Sequence, residues 1–352
     1  MTTDQIVVIG AGYAGVTAAN RLARRGGDRV RVTLVNPREV FVERIRLHQQ
    51  AATGHDPTVP LSGLLRPDVR LRVTTAERIG DGSVRLPGGD EIAFDHCVLA
   101  VGAVPQALDT PEGYAVGDLD SSRALRDRLR ALDPGSTVTV VGGGLTGVET
   151  VTEIAEAHPR LHVRLAARQL AEDLPDRARR RVARTLDRLG VEVVGETPQD
   201  SDCLVWATGD RAPSLAADSG LPVDDLGRLL TDETLTSLAN PRVVATGDAA
   251  APPSRLAGRL RPSCQAAFPL GVAAADTVLR RIDGRDPQPT QAPFAAQCVS
   301  LGRRDGLLQP VRRDDAPRGP ALTGRAGALA KEAVCRSTLT RLRLGARGGD
   351  RG

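Results

Sequence analysis

The sequence predicts an α/β fold: two copies of one β-α-β unit, followed by a small α+β C-terminal region. The first copy opens the chain. Residues 6–9 (IVVI) form an apolar, β-branched run too short for a helix and suited to a buried parallel strand. Gly10, Gly12 and Gly15 follow in the pattern G-x-G-x-x-G, then an amphipathic helix to about residue 25, a Gly26-Gly27 stop and a second strand over 30–35. The second copy repeats this order: a strand at 137–141, Gly142, Gly144 and Gly147 in the same pattern, a helix to about 157 and a strand at 161–165. Such repetition means one architecture built twice.

Each glycine has its own duty in such a unit. The first permits a tight turn, the second lets backbone approach a pyrophosphate, and the third lets helix and strand pack closely. The phosphates rest on the helix N-terminus, where free N–H groups and the dipole favour an anion. Each copy is therefore expected to hold a dinucleotide, the two facing each other.

Composition excludes several classes. A chain of 352 residues with 41% hydrophobic content accommodates two domains and a tail. No stretch approaches the roughly 18 consecutive apolar residues of a membrane-spanning helix. The first residues lack a charged region followed by an apolar one, so secretion is not expected. Cys97, Cys203, Cys264, Cys298 and Cys335 are scattered without a C-x-x-C pair, which suits a reducing cytoplasm and argues against a zinc site. The formal charge of +4 does not indicate nucleic acid. Lys331 is the only lysine, and from Arg303 onward twelve Arg or Lys stand against five Asp or Glu, so the basic excess lies in the tail. With aromatics at 2%, no aromatic interleaving supports a nucleic-acid surface.

Between and after the repeats, residues 37–54 read as an amphiphilic helix or an ordered loop ending at Gly54. Strands are expected at 69–74, 83–86 and 91–94, the last two joined by a PGGD turn. A further strand ends at Gly102, and a proline-containing linker leads to a charged helix over 119–132. The second unit continues with a helix at 176–189 and strands at 191–194 and 203–206, the latter ending in WATGD. A strand at 242–246 runs into ATGDAA, and a helix follows at 263–281. The remainder is a proline-rich linker, a hairpin across 294–311, a basic helix over about 324–343 and a disordered end, GARGGDRG.

With both fingerprints, VLAVGA (98–103) and the late ATGDAA (245–250) in place, the chain resembles flavoproteins with two dinucleotide folds. Among these it is similar to type II NADH:quinone oxidoreductases and apoptosis-inducing-factor-like flavoproteins, over essentially its whole length. The resemblance implies two Rossmann-like domains. An FAD-binding domain is made discontinuous (1–111 and 238–284) by an inserted NAD(P)-binding domain (112–237), with 285–352 as the C-terminal region. It assigns Gly10, Gly12, Tyr13, Ala14, Gly15, Asn36, Arg44, Ala76, Ala100, Val101, Gly102, Gly247 and Asp248 to FAD. Asp248 is the family's ribityl ligand, or else a cap for the next helix. Asn36 stands where relatives carry an acid for the adenosine ribose; an amide still hydrogen-bonds there. For NAD(P)H the resemblance assigns Gly142, Gly144, Leu145, Thr146, Gly147, Arg168 and Gly209, with Glu149 near the nicotinamide or else a glutamate favoured by the helix dipole. Ala167 replaces the acid usual in NADH-selective relatives, and Arg168 follows, which tilts the choice to NADPH. Only ETPQDSD (196–202) stands where relatives insert a hairpin, so this domain is trimmed.

In the superfamily's disulfide reductases a cysteine pair follows the second strand; here Arg44, Ile45, Arg46, Leu47 and His48 occupy that place. Electrons must then pass directly from flavin to a diffusible acceptor. Arg44, Arg46 and His48 are candidates to orient or protonate it, against the plainer reading of a salt-bridged loop. RPSCQAAFPLG (261–271) resembles the quinone-contacting stretch of type II dehydrogenases. Gln265 matches the first of its two glutamines and Leu270 replaces the second, while Phe268, Pro269 and Leu270 either make the pocket apolar or pack their helix. The basic C-terminal helix has Ala328, Leu329, Ala333, Val334, Leu339 and Leu342 as apolar positions, and either meets an anionic membrane or packs on protein. The expected enzyme is an FAD-dependent NAD(P)H oxidoreductase reducing a quinone or another aromatic acceptor. It would be cytoplasmic or peripheral on the inner face of the cell membrane. The alternatives are a tailoring enzyme of specialised metabolism acting on one small molecule, and a non-catalytic FAD-binding sensor.

Overall fold

Both glycine patterns stand at the C-terminal end of a central parallel strand, and two similar sheets grow around them. The computed structural model describes residues 3–105, 113–253, 260–291 and 293–348. The helices are α1 (Tyr13–Gly26), α2 (Leu47–Thr53), α3 (Leu119–Ala131), α4 (Leu145–Ala157), α5 (Asp176–Arg188), α6 (Leu215–Asp218), α7 (Cys264–Ile282) and α8 (Gly324–Arg347). The first sheet has the order Val243–Ala245, His96–Leu99, Asp4–Ile9, Val30–Asn36, Val69–Val73, all parallel. The second runs Gly113–Ala115, Cys203–Trp206, Thr137–Val141, His162–Ala166, Glu192–Val194, again all parallel.

The central strands are apolar along their length because helices cover both faces of each sheet. Val8, Leu34, Val98 and Val244 sit in the first core, and Val138, Val140, Leu165 and Val205 in the second. The third glycine of each pattern is required by close approach. A Cβ on Gly15 would stand 1.9 Å from the Gly10 carbonyl oxygen, and one on Gly147 would stand 1.8 Å from that of Gly142.

The structure departs from sequence expectation in four places. Residues 37–54 contain a strand, Val40–Val42, paired antiparallel with Thr58–Pro60, before α2 begins. Leu215, Ala216, Leu229 and Leu235 lie on the second-domain side of the expected 237/238 boundary yet pack in the first core. Leu229–Leu230 also pairs with Ala250–Ala251. α8 runs to Arg347, so the start of the tail expected to be disordered is helical. The inner face of α8 is Gly327, Lys331, Cys335, Thr338 and Leu342, whereas Leu329 is 72% exposed and Ala333 is exposed. The linker residues 106–112, the domain boundary within them and residues 349–352 fall outside the described residues.

The C-terminal hairpin, Ala296–Ser300 with Gly306–Pro310, joins the two cores. Val299, Leu301 and Leu307 enter the second core, while Phe294 and Val311 enter the first. α8 crosses it and ties back to the first domain, where buried Arg46 holds Glu332 at 3.0 and 3.1 Å.

Candidate functional site

A cleft of about 370 Å³ opens where α1 points its N-terminus between the two domains. Gly12, the N-cap of α1, supplies no side-chain cap, and a Cβ there would meet nothing within 4 Å. The first N–H groups of the helix are thus left for a ligand, and the first turn carries no acid to compete. Asn36 closes the loop from the side: its Oδ1 accepts from Ala11 N at 3.0 Å and its Nδ2 donates to Arg38 O at 2.7 Å. An aspartate could not make the second bond, which accounts for the amide at this position. On the opposite wall Thr246 Oγ1 is buried without a partner among the described residues, and Asp248 faces the cleft. Burial raises the Asp248 carboxyl, with Arg44 opposing. A capless helix end, an orphaned hydroxyl and a carboxylate along one cleft fit a phosphate-bearing, hydroxyl-rich cofactor.

Of the positions assigned to FAD, Gly10, Gly12, Tyr13, Ala14, Asn36, Arg44, Ala100, Val101, Gly102, Gly247 and Asp248 line this cleft. Gly15 acts one layer behind, in packing, and Ala76 packs against the first core. The Tyr13 ring turns into the protein, edge-on to Phe41 at 4.9 Å and Phe268 at 5.6 Å. Phe268 and Leu270 are core residues of α7, in line with the packing alternative of the two readings. Gln265 accepts from Ala295 N at 3.1 Å and so braces the hairpin. Arg46 is spent on Glu43 and Glu332.

The far end of the cleft is a charged junction of four elements. Glu149 from α4 accepts from Ser300 N at 2.9 Å and pairs with Lys331 of α8 at 2.9 Å. His48 of α2 lies beside it, Nδ1 3.9 Å from Glu149 Oε2. Burial alone would neutralise both members of the Glu149–Lys331 pair; their mutual attraction holds the carboxyl low and the ammonium high. Burial lowers His48 to about 4, so it is neutral at neutral pH. Lys331 was not singled out for the site from sequence, although its being the only lysine was a signal.

A second cavity of about 720 Å³ sits at the equivalent end of the second sheet. Gly142, Gly144, Ala167 and Arg168 line it, with Glu172, Asp173 and Glu196. Gly144 caps α4 without a side-chain bond, as Gly12 caps α1. Leu145 begins α4, while Thr146 and Glu149 project from it to the first cleft instead, and Gly209 takes a positive φ of 76°.

A family model described as pyridine nucleotide-disulphide oxidoreductase matches residues 4–199, more than half of the chain. The NADH dehydrogenase-like protein YutJ of Bacillus subtilis is 23% identical, over 86% of this chain and 91% of that protein. Demethylphylloquinone reductase NdbB of Synechocystis is 22% identical over 94% and 91%. The fold matches NDH2 of Plasmodium falciparum, solved in complex with NADH, with a TM-score of 0.78 over 98% of each chain at 14% identity. The chain belongs to the pyridine nucleotide-disulphide oxidoreductase family, as a flavoprotein that binds FAD and uses NAD(P)H.

Proposed function

We propose that this oxidoreductase passes electrons from NAD(P)H directly to a quinone or a similar flat aromatic acceptor, without a redox disulfide. The observation that carries the reading is the Lys331–Glu149 pair at the end of the cleft. A fixed, buried ammonium there stabilises the negative charge that builds up when two electrons enter the site. FAD held in the cleft supplies the chemistry of accepting a hydride and releasing two electrons. Gly12, Asn36, Thr246 and Asp248 would hold it, and Glu149 and His48 line the same cleft. All five cysteines are free thiols, and burial raises that of Cys264, which is on the cleft wall, keeping it protonated and a poor redox nucleophile.

The core position of Leu270, where quinone-reducing relatives are expected to present a second glutamine, favours the alternative of a tailoring enzyme acting on one small molecule. In the second cavity Arg168 is suited to a 2′-phosphate, opposed by Glu172, Asp173 and Glu196 on the same wall. No described helix is long and apolar enough to cross a membrane. The exposed Leu329 and Leu344 of α8, interspersed with Arg325, Arg336 and Arg343, support peripheral contact with an anionic bilayer. Anaerobic mixing with NADH and then NADPH tests the reading: at least one should bleach the flavin band within seconds. Bleaching by neither sinks the hydride step. A quinone panel, with and without anionic liposomes, then tests acceptor and membrane together; no oxidation by any quinone leaves the tailoring reading standing.

A further inference from the structure

The charged junction continues behind the cleft wall. One turn along α4 from Glu149, on the same helix face, Glu153 is 1% exposed. Its Oε2 has no hydrogen-bond partner among the described residues. Its Oε1 pairs with Arg303 at 3.1 Å and accepts from Ser300 Oγ at 3.3 Å. His48 stands between the two glutamates, with Nδ1 3.9 Å from Glu149 Oε2 and Nε2 4.0 Å from Glu153 Oε1. Nε2 is likewise buried and unpartnered. Beyond Glu153, the Arg303 side chain is 44% exposed and reaches solvent. The order is therefore solvent, Arg303, Glu153, then His48 and Glu149, which line the cleft together with Lys331.

We infer that Glu153, His48 and Glu149 form a proton conduit from the Arg303 surface into the cleft, with Glu153 as the internal donor. The inference rests on the quinone-reducing reading above. NAD(P)H + H⁺ + quinone gives NAD(P)⁺ + quinol, so each turnover draws one proton from solvent beyond the transferred hydride. A neutral imidazole passes it by accepting at Nε2 and releasing from Nδ1. Each gap exceeds hydrogen-bond contact by about 1 Å, within reach of a side-chain rotation. Burial raises the Glu153 carboxyl to about 7 against the pull of Arg303, so it gains and loses a proton near neutrality. The groups facing it are His48 from α2, Glu149 and Glu156 from its own helix and Arg303 from the hairpin, with Lys331 and Glu332 of α8 next behind.

The test uses Glu153→Gln as FAD-bound enzyme. Bleaching of the flavin band by NAD(P)H should match wild type, whereas re-oxidation by quinone should slow by about 10²-fold and lose its inflection near pH 7. Infrared difference spectra across that range should lose one protonated-carboxyl band. Arg303→Met keeps the carboxyl and removes its cation, so the band midpoint and the re-oxidation inflection should move to higher pH together. A Glu153→Gln enzyme that re-oxidises at the wild-type rate with the inflection in place, or that keeps the band, overturns the conduit. So does an Arg303→Met enzyme in which neither midpoint moves. Wild-type enzyme that neither nucleotide bleaches refutes the underlying hydride step, and the conduit with it. That failure is told apart because it occurs in the first half-reaction.

Discussion

The two dinucleotide units are near copies down to single hydrogen bonds, and they part in how they are enclosed. Gly10 N donates to Val35 O at 2.8 Å, and Gly142 N to Ala166 O at 2.9 Å. Gln5 N is capped by Asp95 at 2.7 Å, and Thr137 N by Asp202 at 2.8 Å. In the first unit a three-stranded meander, Arg78–Ile79, Ser83–Arg85 and Glu91–Ala93, precedes the fourth strand. In the second, residues 195–202 cross the same gap as a loop, and Asp202 still reaches its strand. The short loop leaves the five-stranded sheet intact. The first loop is fastened by a side chain, Asn36, the second by backbone alone, Ala171 N to Gly143 O at 2.7 Å. α8 reaches the first cleft through Lys331 and contributes nothing to the lining of the second cavity. The first unit is therefore expected to retain its nucleotide and the second to exchange it.

Breaking the seam between the units should cost most. Lys331→Met leaves Glu149 buried without its cation, a loss of about 3–5 kcal/mol by denaturant unfolding. Adding Glu149→Gln should restore most of it, and an additive double mutant would show that the pair is not coupled. Next is the pH dependence contributed by Glu153. Its folded carboxyl is raised from 4.5 to about 7, so its contribution to stability is fully present below pH 4.5 and is lost as pH rises through 7. Measured against Glu153→Gln, the native chain should lose about 3 kcal/mol across that window. A pH-independent difference between the two would disprove the shift.

The same lesion placed in each unit tests the division of labour. Gly15→Ala and Gly147→Ala insert equivalent clashes and should each cost about 1–3 kcal/mol. The first should be purified depleted of flavin. The second should keep its flavin colour and lose reduction by NAD(P)H. Equal flavin loss in both would end the comparison. The smallest effect is expected at the open cavity: Arg168→Ala should weaken NADPH by roughly tenfold, about 1.4 kcal/mol, and leave NADH unchanged.

The repeated units were legible because their signals are local. A β-branched run, spaced glycines and an amphipathic helix lie within thirty residues, and nothing distant is needed to interpret them. Asp248 and Asn36 came from the family resemblance rather than from local pattern, and both line the first cleft. The charged junction was not legible. His48, Glu149, Ser300 and Lys331 come from four elements spread over most of the chain, and no periodicity links them. The inner face of α8 hid its own importance: Gly327, Lys331, Cys335 and Thr338 make no apolar stripe, while Leu329, the residue that looks most like core, points outward. Val40–Val42 and Thr58–Pro60 are each three residues long, below the length at which alternation can be recognised.

The lone lysine also makes the chain unusually simple to observe. Every other basic side chain is arginine or histidine, so isotope-labelled lysine supplied during expression marks one interior amine and nothing else. Its single resonance would report from the meeting point of both nucleotide units, with no assignment problem to solve. Amine-directed reagents would find only the N-terminus until the protein opens, turning ordinary chemical labelling into a readout of whether the seam is closed.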